Sequence, residues 1–348
     1  MNILTNAWYK QSRWIHCLRP LSALFSLISN LRRLQSCKSG KAYISRLPVI
    51  VVGNITAGGT GKTPLVIYLA QELCRLGYSP GIVSRGYGSK TSEYPFAVTP
   101  QTNYRQAGEE PLMIARYTQC PVIIDPDRVA AVRELESRYD CNVIISDDGM
   151  QHYRLTRDIE IALVDGQRGF GNGYLLPAGP LREKPDRLDT VDLVVCNGKA
   201  RHKLPVPYLR MDLDATHMVH MKTLKSLSVN DGALRSIKGK KVHAIAGIGN
   251  PERFFTSLCG CGFDIITHMF RDHYLYRPED IVFDDDLDVV MTEKDATKCE
   301  EFVTDRHWYL KVAARLPDEF MTSLVSLLHE VEKIKASADR SNNTQEEQ

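Results

Sequence analysis

The chain has 348 residues, 43% of them apolar, which is enough for about two domains with cores of their own. This composition excludes collagen, a long coiled coil and disorder over the whole length. The formal charge of +2 is unevenly distributed, because residues 1–50 carry eight Lys and Arg and no Asp or Glu, while the rest of the chain is net acidic. A basic end of this kind predicts contact with an anionic surface.

The nine cysteines are an odd number scattered through a long chain, which predicts a reducing compartment rather than a disulfide framework. Cys259 and Cys261 stand close together, but no second pair follows at the spacing of zinc ligands. We therefore expect no structural zinc site.

Residues 1–46 are predicted to form a basic, amphipathic, membrane-associated segment. Between Pro20 and Gln35 apolar residues recur at helical spacing, flanked by Arg19, Arg32 and Arg33. The run is shorter than the ~20 residues that cross a bilayer, so we expect the helix to lie in the membrane interface. The alternatives are a helix packed on its own domain and a secretory signal, although no small-residue cleavage site follows the apolar run.

Residues 47–188 alternate between predicted strands and helices. The strands are rich in Val and Ile without polar alternation, which is typical of a parallel sheet covered on both faces. The predicted strands are 47–53, 81–84, 121–125, 142–146 and 159–165, and the predicted helices are 64–76, about 110–118 and 127–138. We expect an α/β domain here.

Residues 166–188, at the end of this domain, are rich in Gly, Pro and charge and are too long for an ordinary connection, so we expect a lid-like loop. A second set of strands and helices predicts a smaller α/β domain over 189–335. The terminal helix, from about 317, could pack on either domain. The polar residues 336–348 predict a disordered tail.

The segment 53–63 reads G-N-I-T-A-G-G-T-G-K-T and carries the clearest chemistry. Glycines let several backbone N–H groups point at one phosphate, and the following helix adds its positive end. Lys62 is expected to reach the β- and γ-phosphates, and the Thr63 hydroxyl to bind Mg²⁺. The usual pattern has Gly where this chain has Thr56, and the alternative is a fortuitous glycine turn. The predicted nucleotide-binding residues are Thr56, Ala57, Gly58, Gly59, Thr60, Gly61, Lys62 and Thr63.

A phosphate loop needs an acid at the end of a neighbouring strand to hold Mg²⁺ or its water. Asp147 and Asp148 close the strand 142–146, and the alternative is that they cap the next turn; which of them would contact the ion is open. No guanine-binding motif is present, so we expect ATP. Position 57 is Ala, whereas the partitioning-type ATPases need Lys there, which argues against that class of protein.

Seven blocks in a fixed order carry a resemblance to a known family. They are G-N-I-T-A-G-G-T-G-K-T-P (53–64), S-R-G-Y-G (84–88), G-E-E-P (108–111), S-D-D-G-M-Q-H (146–152), L-L-P-A-G-P-L-R-E (175–183), A-G-I-G-N-P-E-R-F-F (246–255) and M-T-E-K-D-A (291–296). With these blocks the chain resembles the tetraacyldisaccharide 4'-kinases, the lipid A 4'-kinases of Gram-negative bacteria.

The resemblance implies transfer of the γ-phosphoryl group of ATP, with Mg²⁺, to the 4'-hydroxyl of a tetraacylated glucosamine disaccharide 1-phosphate. The product would be lipid IVA, made at the cytoplasmic face of the inner membrane. The implied partners are the lipid A disaccharide precursor and the membrane surface, and no nucleic acid. The implied fold has two Rossmann-like α/β domains, the larger with a P-loop NTPase-type parallel sheet, and an N-terminal amphipathic, membrane-facing helix.

The resemblance also implies roles for single residues. Glu109 stands where the family has an Asp thought to take the proton from the sugar hydroxyl. Glu110 matches the neighbouring acid of the family, and we add Glu110 to the predicted metal ligands. His273, in Arg271-Asp272-His273, matches the histidine that orients this base. The alternative for His273 is an ordinary loop histidine on a solvated surface, and for His152 a turn residue instead of support for the Asp pair.

Arg182 and Arg128 are predicted to contact the substrate, because guanidinium groups suit both a transferring phosphoryl group and a sugar phosphate. Glu183, which ends the lid-like loop with Arg182, is predicted to contact the substrate as well. The alternative for Arg128 is a solvated residue at a helix start. Lys294 and Asp295 are expected to form an ion pair within the second domain. Two other functions remain open: a soluble P-loop kinase for small molecules, and a membrane-associated ATPase switch.

Overall fold

A computed structural model describes residues 3–10, 12–38, 42–229 and 240–346. Lys41 and the side chains of Arg32 and Arg33, which belong to the predicted basic segment, lie outside this description. The contacts divide the chain into two compact units. The larger consists of Ala7–Ala57, Gly61–Met211 and the chain from Leu316 onward, and the smaller consists of Asp212–Arg315 with Gly58–Thr60 and the residues before Ala7.

The larger unit is built on a mostly parallel sheet. Its strands are β1 (Val49–Gly53), β2 (Pro80–Ser84), β3 (Phe96–Val98), β4 (Val122–Ile124), β5 (Val143–Asp147), β6 (Ile159–Asp165), β7 (Leu193–Asn197) and the start of β8 (Leu209–His220). Their order is β8-β7-β6-β1-β5-β2-β4-β3, and only β3 is antiparallel to its neighbour. The predicted α/β class with a parallel sheet is confirmed.

Helices accompany this sheet. The helices are α1 (Ile3–Tyr9), of which the residues from Ala7 onward belong to this unit, α2 (Arg19–Lys38), α3 (Lys62–Arg75), α4 (Tyr104–Ala107), α5 (Glu109–Thr118) and α6 (Arg128–Arg138), with the terminal helix, here called αC, at Asp318–Glu346, and 3-10 helices at Arg13–Leu18 and Pro185–Thr190. Every residue of β1, β5 and β6 is buried, as expected for strands without polar alternation. The strand order places β1, and the phosphate loop that follows it, near the centre of the sheet.

The smaller unit has its own sheet, in the order β11-β10-β12-β13-β8, with β9 paired to β8. Its further strands are β9 (Ser226–Ser228), β10 (Lys241–Ala246), β11 (Asp264–Met269), β12 (Asp288–Thr292) and β13 (His307–Arg315). Its helices are α7 (Pro251–Gly260), α8 (Pro278–Ile281) and α9 (Glu293–Cys299), with a 3-10 helix at Glu300–Phe302. Phe254, Phe255 and Leu258 of α7 pack into a core with strand residues such as Ala244 and Val290.

The division between the units differs from the predicted boundary at 188/189. β7 pairs in parallel with β6, and β8 begins beside β7, so these strands extend the larger sheet and the contacts divide the chain after Met211. The terminal helix αC groups with the larger unit, where Phe320 lies 6.2 Å from the Tyr68 ring. That helix continues to Glu346, whereas the sequence predicts a disordered tail from 336; it continues because no Pro or Gly interrupts it.

The predicted lid-like loop, 166–188, is a packed segment. Ala178, Leu181 and Leu188 are at most 2% exposed, and the Leu181 and Leu188 side chains join the core cluster of the larger unit. Apolar side chains in a loop can be buried in this way when its backbone pairs with a neighbour, as Leu181 does with Thr56. The segment is therefore packed into the larger unit and is not an open lid.

The helix α2 exposes apolar side chains along one side. Leu21, Leu24 and Leu27 are 53–57% exposed, and Ile28, Leu31 and Leu34 are also exposed. None of the helices in the described part of the chain is both long enough and apolar enough to cross a bilayer.

Candidate active site

The phosphate loop and the Asp pair are brought together by the order of the strands. β1 and β5 are parallel neighbours, and Val52 stands opposite Asp147, so both strands end at the same edge. The loop then leads into α3, which begins at Lys62. Gly61 caps this helix with a φ of 98°, and a Cβ there would collide with the Asn197 side chain. Only glycine combines that backbone angle with that close approach.

Thr56, where the usual pattern has Gly, lies in paired backbone. It forms an antiparallel bridge with Leu181, and the neighbouring Ala57 amide donates to the Pro180 carbonyl at 2.7 Å. Thr56 is not among the residues with a positive φ. A β-branched residue suits this extended conformation, so the departure from the pattern does not disturb the loop.

Lys62 and Arg182 meet at one carboxylate. The Lys62 Nζ atom lies 3.4 Å from Asp148 Oδ1 and donates to Asn54 Oδ1 at 3.3 Å. Arg182 Nη1 lies 3.2 Å from Asp148 Oδ2 and donates to Gln151 Oε1 at 3.3 Å. Burial opposes charge on Asp148, but the two cations outweigh it and lower its pKa to about 2. Asp148 is therefore ionised and, with Lys62, forms a charged group at the start of α3.

Asp147 has the opposite environment. It is 1% exposed, and Ser84 Oγ donates to its Oδ2 at 3.1 Å. Burial, followed by the nearby charges of Glu110 and Asp148, raises its pKa to about 7. Two adjacent carboxyl groups thus have strongly separated pKa values, an arrangement that is common at functional sites.

These residues fit a magnesium ion. Asp147 Oδ1 is buried and has no hydrogen-bond partner in the part of the chain that the structure describes, and a cation is one partner that would satisfy it. Thr63, the predicted hydroxyl ligand, is 9% exposed and begins α3 with Lys62. Within the described ranges no group of three His, Cys, Asp or Glu is arranged to hold an ion. Magnesium keeps waters and substrate phosphates as ligands and uses one or two carboxylates of the protein.

Arg128 lies behind the Asp pair rather than at a substrate surface. It is 1% exposed, and its two Nη atoms each donate at 3.0 Å, to the carbonyls of Asp125 and Asp147. Burial lowers its pKa to about 10. A side chain so enclosed cannot reach a sugar phosphate, so its place corrects the prediction of a substrate contact: Arg128 holds the end of β5.

Glu183 is also directed inward, in contrast to the predicted substrate contact. It is 9% exposed; Gln151 Nε2 donates to one carboxylate oxygen at 2.7 Å and the Tyr153 hydroxyl to the other at 2.9 Å, with Arg187 Nε 3.4 Å away. Gln151 also donates to the Asn54 carbonyl at 3.2 Å. Glu183 therefore supports the backbone at the start of the phosphate loop, while Arg182 beside it remains 30% exposed.

The predicted base Glu109 begins α5 and is 8% exposed. Gly108, just before it, has a φ of 82°, and a Cβ there would lie 2.6 Å from the Tyr87 carbonyl oxygen. The G-E-E-P block is thus seated on the S-R-G-Y-G block, which explains its glycine. Glu110 is close enough to Asp147 to raise the pKa of that residue.

The predicted partner of the base, His273, belongs to the smaller unit. Its φ is 60°, its side chain is 30% exposed, and its Nε2 lies 3.8 Å from Asp272 Oδ1. Lys294 Nζ lies 3.4 Å from the same carboxylate oxygen, so the M-T-E-K-D-A block supports the Asp272-His273 turn.

Lys294 and Asp295 do not form the expected ion pair. Adjacent residues on a helix point in different directions, and Asp295 instead pairs with Lys298 at 2.8 Å, both side chains being 0% exposed. Asp295 also accepts from the Gly247 amide at 2.8 Å. This acid therefore fixes the turn that follows β10.

Sequence reasoning missed Asn54, Gln151 and Ser84 as site residues. All three lie inside the seven sequence blocks, which is the signal that could have identified them. Their roles depend on hydrogen bonds to residues that are distant in the sequence. His152, in the same block as Gln151, has its pKa lowered to about 4 by burial and by the nearby charges of Arg128 and Arg85. It is therefore neutral at physiological pH.

The chain matches one family of known proteins over most of its length. The family model described as tetraacyldisaccharide-1-P 4'-kinase matches residues 14–329. A tetraacyldisaccharide 4'-kinase of Nitrosococcus oceani is 46% identical over 344 residues, covering 97% of this chain and 98% of the relative, and that of Pasteurella multocida is 46% identical over 331 residues, covering 94% and 98%.

A crystal structure of LpxK from Aquifex aeolicus in complex with ATP is similar as well. It has a TM-score of 0.75 and 26% sequence identity, and the match covers 91% of this chain and 99% of that one. The resemblance inferred from the seven blocks is therefore confirmed. This chain belongs to the tetraacyldisaccharide-1-P 4'-kinase family.

Proposed function

We propose that the chain transfers the γ-phosphoryl group of ATP to the 4'-hydroxyl of a tetraacylated glucosamine disaccharide 1-phosphate, to give lipid IVA. The single observation that carries the proposal is the meeting of Lys62, Arg182 and Asp148 at the end of β5, next to the phosphate loop. Membership of the kinase family supports the choice of acceptor.

The residues of the larger unit supply charge and position. Lys62 exchanges its contact with Asp148 for the β- and γ-phosphates, and the exposed part of Arg182 approaches the transferring group. The other amides of the phosphate loop, up to Thr63, hold the triphosphate, while the Ala57 amide stays bonded to the Pro180 carbonyl. Fixed donors of this kind stabilise the charge that develops in the transition state without reorganising during the reaction.

Thr63 and the Asp pair would hold Mg²⁺, with Glu110 close to them. When bound, the ion neutralises charge on the phosphate oxygens. Asp147 supplies its unpartnered oxygen, and ionisation is required before it can bind a cation. Arg128 keeps the Asp147 carbonyl, and hence the end of β5, in place.

Glu109 is the proposed acceptor of the hydroxyl proton, and His273 is proposed as a second catalytic residue. Replacing Glu109 with glutamine should lower kcat about 100-fold or more, which is the usual contribution of a general base. Glu109→Asp restores the carboxylate that the family carries there and should retain most of the activity. Steady-state rates with saturating ATP and lipid measure this, and equal rates for the Gln and Asp variants would contradict the role.

The direct test incubates purified protein with γ-labelled ATP, Mg²⁺ and the disaccharide 1-phosphate in mixed micelles, and locates the label. We expect label on the 4' position of the lipid, and no comparable labelling of water-soluble sugars. Labelling of soluble sugars instead would favour a small-molecule kinase. Release of labelled phosphate without a labelled acceptor would favour an ATPase switch.

We also propose that α2 rests on the cytoplasmic face of the inner membrane. Its exposed leucines would bury apolar area among the lipid acyl chains, and the basic residues of the N-terminal segment would meet anionic head groups. The enzyme and its acylated substrate would then share one surface.

The double variant Leu24→Gln/Leu31→Gln should bind anionic lipid vesicles at least about tenfold more weakly, since each buried leucine contributes about 1.5–3 kcal/mol. Sedimentation with vesicles measures this. The matched control is Leu76→Gln/Ile334→Gln, which changes two apolar side chains elsewhere that are at least as exposed as Leu24 and Leu31. Equal binding by both double variants would contradict a membrane role for α2.

A further inference from the structure

The helix α2 carries one buried hydroxyl among exposed apolar residues. Ser22 is 7% exposed, whereas Leu21 and Leu24 are each 53% exposed. The Ser22 hydroxyl donates to the Leu175 carbonyl at 2.8 Å and accepts from the Ala178 amide at 3.0 Å. One side chain therefore satisfies both a carbonyl and an amide of the segment 175–178.

Further contacts hold the same segment against the N-terminal helices. The Trp8 indole donates to the Pro177 carbonyl at 3.0 Å. The Arg19 guanidinium lies 5.0 Å from the centre of the Tyr174 ring, and His16 packs edge-on against that ring. The N-terminal helices thus contact residues 174–178 at several points, and Ser22 is the most buried of the residues that make these contacts.

The other end of the segment is bonded to the phosphate loop. The Pro180 carbonyl accepts from the Ala57 amide, and the Arg182 amide donates to the Ile55 carbonyl, both at 2.7 Å. The Arg182 side chain then reaches Asp148. Residues 175–182, which we call the strap, therefore join α2 to the backbone of the phosphate loop and to the carboxylate that faces Lys62.

We propose that Ser22 is a positioning residue for the triphosphate site. By fixing the strap to α2, it keeps the backbone of Ile55 and Ala57 and the guanidinium of Arg182 in the arrangement that binds nucleotide. Without the hydroxyl, the Ala178 amide loses its partner in a buried setting, while the Leu175 carbonyl keeps the Gly179 amide at 3.0 Å. The strap must shift to give the Ala178 amide another partner. The proposal rests on the proposed function only for the identity of the nucleotide, ATP.

The experiment compares Ser22→Ala, Ser22→Thr and Ser26→Ala in the full chain, kept in detergent. Ser26 stands one turn later on the inner side of α2 and is the matched control. The dissociation constant of ATP with Mg²⁺ is measured by calorimetry without lipid acceptor. We expect about fivefold weaker binding for Ser22→Ala, the change that follows from one lost buried hydrogen bond, and values near wild type for the other two variants.

Amide hydrogen exchange supplies a second readout. In Ser22→Ala, exchange should accelerate at Ala178 and Ala57, and ATP should slow it less than in the wild type. An unchanged ATP dissociation constant in Ser22→Ala would overturn the proposal, even with a lower Tm, because that combination describes stability alone. Equal weakening in Ser22→Ala and Ser22→Thr would also overturn it, since the hydroxyl would not matter.

The test separates this proposal from the function itself. Wild-type protein that binds ATP but labels no lipid would contradict the proposed acceptor and leave the role of Ser22 intact. Normal lipid labelling by the wild type, together with unaltered ATP binding by Ser22→Ala, would contradict only the role of Ser22.

Discussion

Replacing Lys62 with alanine is expected to lower kcat/KM at least about 1,000-fold, because the variant loses the cation that meets the β- and γ-phosphates in the transition state. The change also removes one of the two cations that lie beside Asp148, and Arg182 stays in place. The negative charge at the loop is then less balanced, which further disfavours a triphosphate. Rates of lipid phosphorylation with labelled ATP measure the effect.

The fold of this variant should persist, since the Lys62 ammonium group contacts Asp148 and Asn54 and its loss leaves the buried residues of β1 unchanged. Thermal unfolding checks this, and the expected Tm is within a few degrees of the wild type. Lys222→Ala is a suitable control, because Lys222 makes an exposed ion pair with Asp305 in the smaller unit. Unaltered turnover in Lys62→Ala would refute the assigned phosphate role.

Replacing Asp147 with asparagine is expected to remove activity, by about 100-fold or more, and at the same time to stabilise the metal-free protein. The first effect follows from loss of an anionic ligand for Mg²⁺. The second follows from burial: in the wild type, the carboxylate is enclosed beside Asp148 and Glu110, and its charge is unfavourable without a cation. Asparagine keeps an oxygen that can accept from Ser84.

The gain in stability should depend on pH. The unfolded Asp147 loses its proton near 3.8, but the folded one only near 7, so between these values the folded state holds more protons and its stability falls as the pH rises. The asparagine variant does not titrate there. Its advantage should therefore widen from pH 5 to 7 and then level off, at on the order of 2–4 kcal/mol, since one pKa unit corresponds to about 1.4 kcal/mol.

Urea unfolding in the presence of a chelator, at pH 5, 6, 7 and 8, measures this difference. Asp140→Asn changes an exposed carboxylate at the end of α6 and should show no such trend. An asparagine variant of Asp147 that is less stable than the wild type at pH 8 would show that the buried carboxylate is a favourable part of the metal-free fold.

The sequence alone determined the features that depend on local order. An unalternating apolar strand, a glycine turn and a helix follow one another within residues 49–75, so the phosphate loop could be recognised from spacing. Asp147 and Asp148 could be placed beside it because parallel strands end at one edge of their sheet. The seven ordered blocks then indicated the family, because each retains residues of the site or of its support.

Only the tertiary structure decided that Asp147 and Asp148 have different environments. Asp147 is the last residue of β5 and faces the interior, while Asp148 has a φ of 49° and turns to Lys62 and Arg182. One residue of chain separates environments with pKa values of about 7 and about 2. No periodic pattern in the sequence predicts this difference in pKa, because the residues that cause it come from distant parts of the chain.

The same reason explains the residues whose roles changed. Arg128 and Glu183 are charged, and from sequence a charge is expected at the surface; both are buried because backbone carbonyls or side chains such as Gln151 and Tyr153 satisfy them. Ser22 and Ala178 are 156 positions apart, and their bond follows from how the helix α2 packs on the strap. Local spacing thus determined the chemistry of the phosphate loop, whereas long-range packing decided which side chains lie exposed beside the loop and which hold it in place.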